Sequence, residues 1–431
     1  MAAVLTESDF VVGILHGEVG SVGTDASGMI AAIAPGEGGK ESNGKERSSH
    51  IVIIAKLSAA FRVAPPNCET MRLLFLSSTP MNVYEGSGTY VGIDVLARTL
   101  RGLGVEVNCV TPHFPCPNLT LRRLIFNQYL RTRPTDADVT VGFDMDGYTI
   151  AGNRPGTHIA SIKGVIADEL RFEKGWTQRT MKIQARCEAK HVRRADLVLT
   201  TSNYAAERIR QLYGVEQRPR IVPEPIDLAA WEALQTESSP GNRAKFIVLT
   251  VCRFYPRKRL HVLLAAADRL RSGIPNLEVR IVGGGPEEGR LKALCREKRL
   301  QEIVVWQRDI SRSELASEYA RCDVFCLPSV QEGFGIVFLE AMASGKPIVA
   351  ARAAAIPEVV KHGLLVTPED DQELAWAIGR FYRDPSLRAS LGSAGKAFVQ
   401  QFDAPAVGKA FLREIETCTG FRSGAEFPPR R

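Results

Sequence analysis

The sequence predicts an α/β protein built from two doubly wound, parallel-sheet domains that face each other across a cleft. Three observations carry this expectation. Short apolar runs alternate with helical patterns in the first half of the chain, the same alternation resumes in the second half, and a polar stretch separates the two series. Alternation at this spacing signals βαβ units, with a parallel sheet covered on both faces.

Taken in order, residues 1–70 stand apart. Gly and Ser are dense around Gly36–Ser49, and no helical or strand period persists. Glu7 and Asp9 sit where a secretory signal carries positive charge, so the start does not read as one. Organised sequence begins abruptly at Met71, and residues 1–70 read as a disordered or mis-annotated extension. Residues 71–235 form the first domain. Strands are expected at Leu73–Leu76, Val105–Val110, Val139–Phe143, Ile159–Ile162 and Leu197–Thr200, with helices such as Val91–Leu103 and Tyr204–Tyr213 between them. The polar run TESSPGNRAK, residues 236–245, suits a linker. Residues 246–400 form the second domain, with strands at Phe246–Val251, Leu277–Val282, Ile303–Trp306, Asp323–Leu327 and Pro347–Ala350. Its helices include Leu260–Arg271, Glu287–Arg299 and Ser313–Arg321. Residues 401–431 read as a C-terminal helix and tail, the helix placed to pack back on the first domain.

Composition narrows the class. A chain of 431 residues has room for two domains at about 100–200 residues each. Hydrophobic residues make up 45% and charged residues 24%, which excludes wholesale disorder, a collagen-like chain and a coiled-coil rod. The longest apolar run, Ile51–Phe61, carries Lys56 and falls well short of the roughly 18 residues of a membrane span. The net charge of +7 is mild for this length, so its distribution matters more than its total. The nine cysteines are odd in number and lack paired C-x2-C spacing. They read as reduced core residues of a cytoplasmic protein, peripheral at the membrane if it touches one.

The strongest chemical feature is DVFCLPSVQEGFGIVFLEAMASGKPIVA, residues 323–350. A strand ends at Pro328, a loop carries Glu332-Gly333-Phe334-Gly335, and a helix opens near Ile336 and holds Glu340. The glycines let backbone N–H groups approach a ligand, and a helix start favours phosphate. Glu332 beside that anion site and Glu340 one turn into the helix suit a ligand with hydroxyls on both sides of a diphosphate. Glu332 as a solvated loop residue and Glu340 as a surface residue is the alternative. The second feature is VCRFYPRKRLHVLL, residues 251–264. Arg253 follows a strand and Lys258 precedes a helix, so both charges fall at the strand's carboxyl end. Fixed cations there would stabilise a departing diphosphate; a solvated basic turn is the alternative, and Arg257 and Arg259 read as solvated.

Together these runs resemble the family-4 retaining glycosyltransferases of GT-B fold. Glu332 through Glu340 is similar to that family's E-x7-E signature, and Arg253 with Lys258 falls on its Arg-x4-Lys pair. VGGGP at 282–286 resembles the donor domain's glycine turn. IPEVV at 356–360, GLLVTP at 363–368 and VPEPID at 222–227 resemble further runs in the family's order. The resemblance covers roughly residues 71–415. It implies a hexosyl transfer from a nucleotide-diphosphate sugar, UDP- or GDP-linked, to a hydroxyl acceptor, with retained configuration and no cofactor or catalytic metal. Glu340 would bind the ribose and Glu332 the donor sugar. Phe334, Gly335, Ile336 and Gly284 would present backbone to the donor. Gly86 and Gly88, in SSTPMNVYEGSGTYVG, would lie near the diphosphate. Arg253 and Lys258 would neutralise the leaving group.

Departures from the family pattern leave some roles open. Many relatives place a His after the third strand, where this chain has VGFDMDG, with Asp144 and Asp146. Asp144 there could orient the acceptor hydroxyl or accept its proton, or simply cap the loop. His158 lies one strand later and reads equally as packing or site. Cys252 replaces a frequent Gly before the Arg, and Arg308 stands where the family usually has Gly near the nucleotide base, which leaves the base undecided. Lys163, Asp168 and Glu169 shape an acceptor pocket or a helix N-terminal charge cluster.

Arg179, Lys182, Arg186, Lys190 and Arg193 fall on one helical face, suited to peripheral contact with an anionic membrane or to water. No aromatic–basic interleaving points to nucleic acid. An NAD(P)-dependent tandem-Rossmann oxidoreductase would need an acidic residue about 20 positions past the glycine loop, and that region offers only Glu106, inside a strand. A non-catalytic protein on this scaffold would be expected to lack Glu332 or Lys258, and both are present.

Overall fold

A computed structural model describes residues 71–79, 88–114, 116, 118–236 and 244–421, besides four two-residue strands among residues 4–31. The boundary and character expected for residues 1–70 fall outside the described residues, as do Gly86, most of the 236–245 linker and the tail after residue 421. Residues 64–431 form one compact unit that contains both sheets.

The first sheet holds β1 (Arg72–Leu76), β2 (Glu106–Val110), β3 (Val139–Phe143), β4 (Thr157–Ile162), β5 (Leu197–Thr200) and β6 (Arg220–Ile221). Its order is β2-β1-β3-β4-β5-β6, and every pairing is parallel. The crossovers are α1 (Gly88–Gly102), α2 (Leu119–Thr132), α3 (Ile166–Glu169) with α4 (Gly175–Arg194), and α5 (Asn203–Tyr213). The central strands are buried along their length, as strands covered on both faces must be.

After α6 (Leu228–Thr236), the second sheet holds β7 (Phe246–Val251), β8 (Leu277–Val282), β9 (Val304–Gln307), β10 (Val324–Leu327), β11 (Ile348–Ala351) and β12 (Gly363–Val366). Its order is β9-β8-β7-β10-β11-β12, again parallel throughout. Around it lie α7 (Leu260–Leu270), α8 (Glu288–Glu297), α9 (Arg312–Arg321), α10 (Ile336–Ala343), α11 (Ile356–Val359), α12 (Asp371–Arg383) and α13 (Pro385–Phe398).

Each sheet reverses winding once, between β1 and β3 in the first and between β7 and β10 in the second. Ligands of open α/β sheets bind beyond the carboxyl ends of strands at such points. The loops after β3, β7 and β10 carry Asp144, Arg253 and Glu332, so both switch points supply residues to the cleft.

The chain then returns to where it began. Ile226 N–H donates to the Phe402 carbonyl at 2.9 Å, and Ala404 N–H to the Ile226 carbonyl at 2.8 Å. Helix α14 (Ala404–Thr419) packs on α1, where Val407, Phe411, Leu412 and Ile415 join the core of the first sheet. Gly408 permits this approach, since a Cβ there would lie 2.8 Å from Thr99 Cγ2. The eight described cysteines are all unpaired; Cys295, Cys322 and Cys326 are buried in the second domain's cores.

Candidate active site

The cleft between the two sheets has a volume of about 710 Å³. Its lining includes Asp144, Arg253, Lys258, Glu332, Phe334 and Glu340, and also Gly88, Gly284, Gly335 and Ile336. These ten residues therefore reach one cavity, whereas Asp168 and His158 do not line it.

The second-sheet wall of the cleft is built from two strand ends. Beyond β7, Arg253 enters the loop and the chain makes a 3-10 turn over Pro256–Lys258. Arg259 then takes a left-handed conformation, φ 52°, and starts α7. The turn aims Lys258 inward, where its Nζ lies 2.5 Å from Glu332 Oε1 with both side chains buried. A cation and a carboxylate are thus held together at the cleft floor, and Glu332 is not a solvated loop residue. Arg257, expected to be solvated, instead lies in the cavity wall and pairs with Glu169 at 3.2 Å. Tertiary packing brings α3 over it, which no local pattern signals. Arg259 also has a partner, Glu369.

Helix α10 opens at Gly335, which sits at φ 94°. Any side chain there would be strained, and a Cβ would come 2.6 Å from the Phe338 ring. The first turn of α10 therefore points unpaired N–H groups and its positive dipole end into the cavity. Glu340, in the next turn, is 3% exposed. Tyr319 donates its hydroxyl to Glu340 Oε2 at 3.0 Å, and Arg312 Nη1 donates to Oε1 at 2.9 Å. Arg312 in turn stacks on Trp231, 5.0 Å from the ring centroid. The Glu340 carboxylate is thereby oriented before any ligand arrives. The glycine turn after β8 brings the chain equally close: a Cβ on Gly285 would lie 2.7 Å from Phe254 N. Arg308 borders the cavity near Gly284 and pairs with Asp309 and Glu288.

The first-sheet wall holds Asp144, a non-glycine residue at φ 52°. Its Oδ1 accepts from Lys163 N–H at 2.9 Å, and Arg123 Nη2 lies 3.7 Å from Oδ2. Burial pushes the Asp144 carboxyl above its usual range, with Arg123 opposing. Asp146 serves the fold instead: it is fully buried and accepts from the Ser78 backbone at 2.6 Å and Asn127 Nδ2 at 2.9 Å. Arg123 Nη2 lies 3.7 and 3.9 Å from the two carboxylates and so carries the positive charge nearest to both. His158 is a packing residue. Its Nε2 lies 2.8 Å from His191 Nε2, and His191 Nδ1 donates to the Asp144 carbonyl at 2.6 Å. That contact sets both tautomers: His191 carries its proton on Nδ1, so His158 must donate. Lys163 reaches the cavity and pairs with Glu224 at 3.0 Å, whereas Asp168 is buried under Arg171, Arg208 and Tyr204 and pins α5.

The walls meet at Gly333. Its carbonyl accepts from Thr201 Oγ1 at 3.1 Å and from Ser202 Oγ at 2.7 Å, across the cleft. A Cβ on Gly333 would sit 2.6 Å from the Lys163 carbonyl oxygen.

A family described as "Glycosyl transferases group 1" matches residues 234–398, the stretch that builds the second-sheet wall of the cleft. The chain has the GT-B fold. The same-named "GDP-mannose-dependent alpha-(1-6)-phosphatidylinositol monomannoside mannosyltransferase" of two organisms is similar to it. The Mycolicibacterium smegmatis protein is 31% identical over 254 residues, covering 55% of this chain and 65% of that protein. The Mycobacterium tuberculosis protein is 28% identical over 350 residues, covering 76% and 87%. The first match thus spans just under two thirds of the relative's own length. Sucrose-phosphate synthase from Thermosynechococcus elongatus superposes with a TM-score of 0.70 at 21% identity, over 81% of this chain and 99% of that one. Anabaena HepE, in complex with UDP and glucose, gives 0.61 at 20% identity, over 80% and 100%. These two structures share the fold.

Within this cleft, sequence reasoning missed Arg312, Arg123 and Glu224. Arg312 sits in a capping box that hides it among helix-start residues. Arg123 belongs to α2, a helix without a motif. Glu224 lies in the VPEPID run, which was a usable signal.

Proposed function

We propose that this chain is a glycosyltransferase that moves a hexosyl unit from a nucleotide-diphosphate sugar to a hydroxyl acceptor with retention of anomeric configuration. The observation that carries the reading is the cleft floor, where Lys258, Arg253 and the start of α10 converge beside two oriented carboxylates. Breaking the anomeric C–O bond leaves a diphosphate and an oxocarbenium-like sugar. Two fixed cations and a helix dipole stabilise the departing negative charge where it develops. Glu340, already oriented by Tyr319 and Arg312, accepts hydrogen bonds from the ribose hydroxyls. Glu332 accepts from the donor sugar. Asp144, across the cavity, accepts a hydrogen bond from the attacking hydroxyl. Attack from the leaving-group face yields retention. The cations take the part a metal would otherwise play, so a chelator should leave turnover unchanged.

GDP-mannose is the first donor to test, given the names of the two mycobacterial relatives. A thermal-shift series with GDP-mannose, UDP-glucose and the free diphosphates tests the reading, because a ligand bound only by the folded chain raises its stability by mass action. One donor series should stabilise the protein, and Glu340→Gln should weaken that shift. No shift with any nucleotide sugar would end the proposal.

A further inference from the structure

Helices α2 and α4 lie side by side. Gln184 Nε2 donates to Thr120 Oγ1 at 2.7 Å, and Arg123 Nη1 donates to Gln184 Oε1 at 3.0 Å. Away from that seam both helices expose an unusual surface. On α2, Leu121, Ile125 and Tyr129 recur every four residues and are 49%, 42% and 43% exposed. On α4, Trp176 is 71% exposed and Ile183, two turns on, 43%. Arg179, Lys182 and Arg186 are exposed beside them. The other two cations of the expected stripe are engaged: Lys190 lies over the Tyr148 ring and Arg193 donates to the Tyr213 carbonyl. Neither helix exposes a carboxylate. α2 contains no Asp or Glu, and the single one of α4, Glu188, is fully buried and accepts from the Tyr213 hydroxyl and Ile166 N–H.

Apolar and aromatic side chains interleaved with cations, and free of acids, match the chemistry of an anionic lipid surface: phosphates for the guanidinium and ammonium groups, an interfacial layer for Trp and Tyr. A nucleic-acid surface would leave Leu121, Ile125 and Ile183 uncovered. The face also abuts the cleft, since Leu119, Trp176, Thr180 and Met181 line the cavity that holds Asp144. No helix among the described residues is long and apolar enough to cross a membrane, so contact here would be peripheral.

We propose that the α2–α4 face docks on an anionic phospholipid bilayer. Leu121, Ile125, Tyr129 and Trp176 enter the headgroup layer, and Arg179, Lys182 and Arg186 meet lipid phosphates. The cleft mouth then opens onto the surface, so that a lipid-anchored acceptor reaches Asp144 without leaving the bilayer. That last clause rests on the glycosyl-transfer reading; the docking does not, and it is measured without turnover.

The test is co-sedimentation of the full chain with vesicles of phosphatidylcholine alone and of phosphatidylcholine with a third phosphatidylglycerol. Binding is expected only to the second set, weakening as salt shortens the screening length. Arg179→Glu/Lys182→Glu/Arg186→Glu should lower partitioning about a hundredfold, and Leu121→Ser/Ile125→Ser should also reduce it, both with unchanged melting curves. Equal binding to both vesicle types, no binding to either, or binding unaffected by the variants overturns the proposal. So does a dimer in gel filtration that Leu121→Ser/Ile125→Ser dissociates, which would assign the face to a second copy of the chain.

Discussion

Removing the Lys258 ammonium tests whether the buried Lys258–Glu332 pair serves stability or chemistry. In Lys258→Met, Glu332 loses a partner 2.5 Å away and remains a buried carboxylate. Breaking a buried pair from one side costs about 3–5 kcal/mol, and the remaining exposure of both side chains places this case near 3. For a domain of this size that lowers Tm by roughly 6–12 °C. Transfer should fall about 10²–10³-fold, the usual cost of one preorganised group at developing charge. The second variant, Lys258→Met/Glu332→Gln, separates the two effects. With no uncompensated charge left, most of the lost Tm should return, while activity stays low because the cation facing the diphosphate is still missing. The assays are differential scanning calorimetry and the release of nucleoside diphosphate from a donor in the presence of acceptor. A double variant that regains activity along with stability would refute the catalytic reading and leave the pair a structural one.

Gly333→Ala should lower kcat/KM about tenfold with little change in Tm, because the new methyl meets the Lys163 carbonyl and holds the two walls apart; unchanged kinetics would show that the seam does not set the geometry. Stability should also fall as pH drops below about 6.5, measured by urea unfolding. Burial lowers the His191 pKa to about 4 and that of His158 to about 2, so both rings stay neutral in the fold while the unfolded chain takes up protons near 6.5. Above that pH neither state binds them and the contribution is intact. Between 6.5 and 4 the unfolded state binds more, and His191 alone removes on the order of 3 kcal/mol. Asp144, Glu188 and Glu224, whose pKa values burial raises, act in the opposite sense above their ordinary range. The control is therefore the slope of His158→Leu/His191→Leu over the same interval, which should be shallower; an equal slope would sink the assignment.

Much of this site was legible in the sequence because its geometry is local. A strand, a turn with Gly333 and Gly335, and a helix within twenty residues define where Glu332, Ile336 and Glu340 stand, and the β7 turn does the same for Arg253 and Lys258. Periodicity is a property of consecutive residues, so the alternation of strands and helices could be read from it, and the twofold recurrence of that alternation implied two sheets. The residues that were misread or missed depend on what folds against them. Arg257 reads as solvated until α3 supplies Glu169. His158 reads as either packing or site until His191, 33 residues later, takes its ring nitrogen.

The sequence by itself determined the doubly wound architecture, the loops that carry Arg253, Lys258 and Glu332, and the presence of the basic helix. These follow from hydrophobic period, turn chemistry and spacing along the backbone. Only the tertiary structure decided which charges face one another across the cleft, that Asp144 faces the cavity while Asp146 is spent on Ser78 and Asn127, and that the basic helix lies beside an exposed apolar one at the cavity's edge. Such pairings join residues far apart in the chain. Their burial, and so the strength of their electrostatics, exists only once the two sheets and the helices between them have packed.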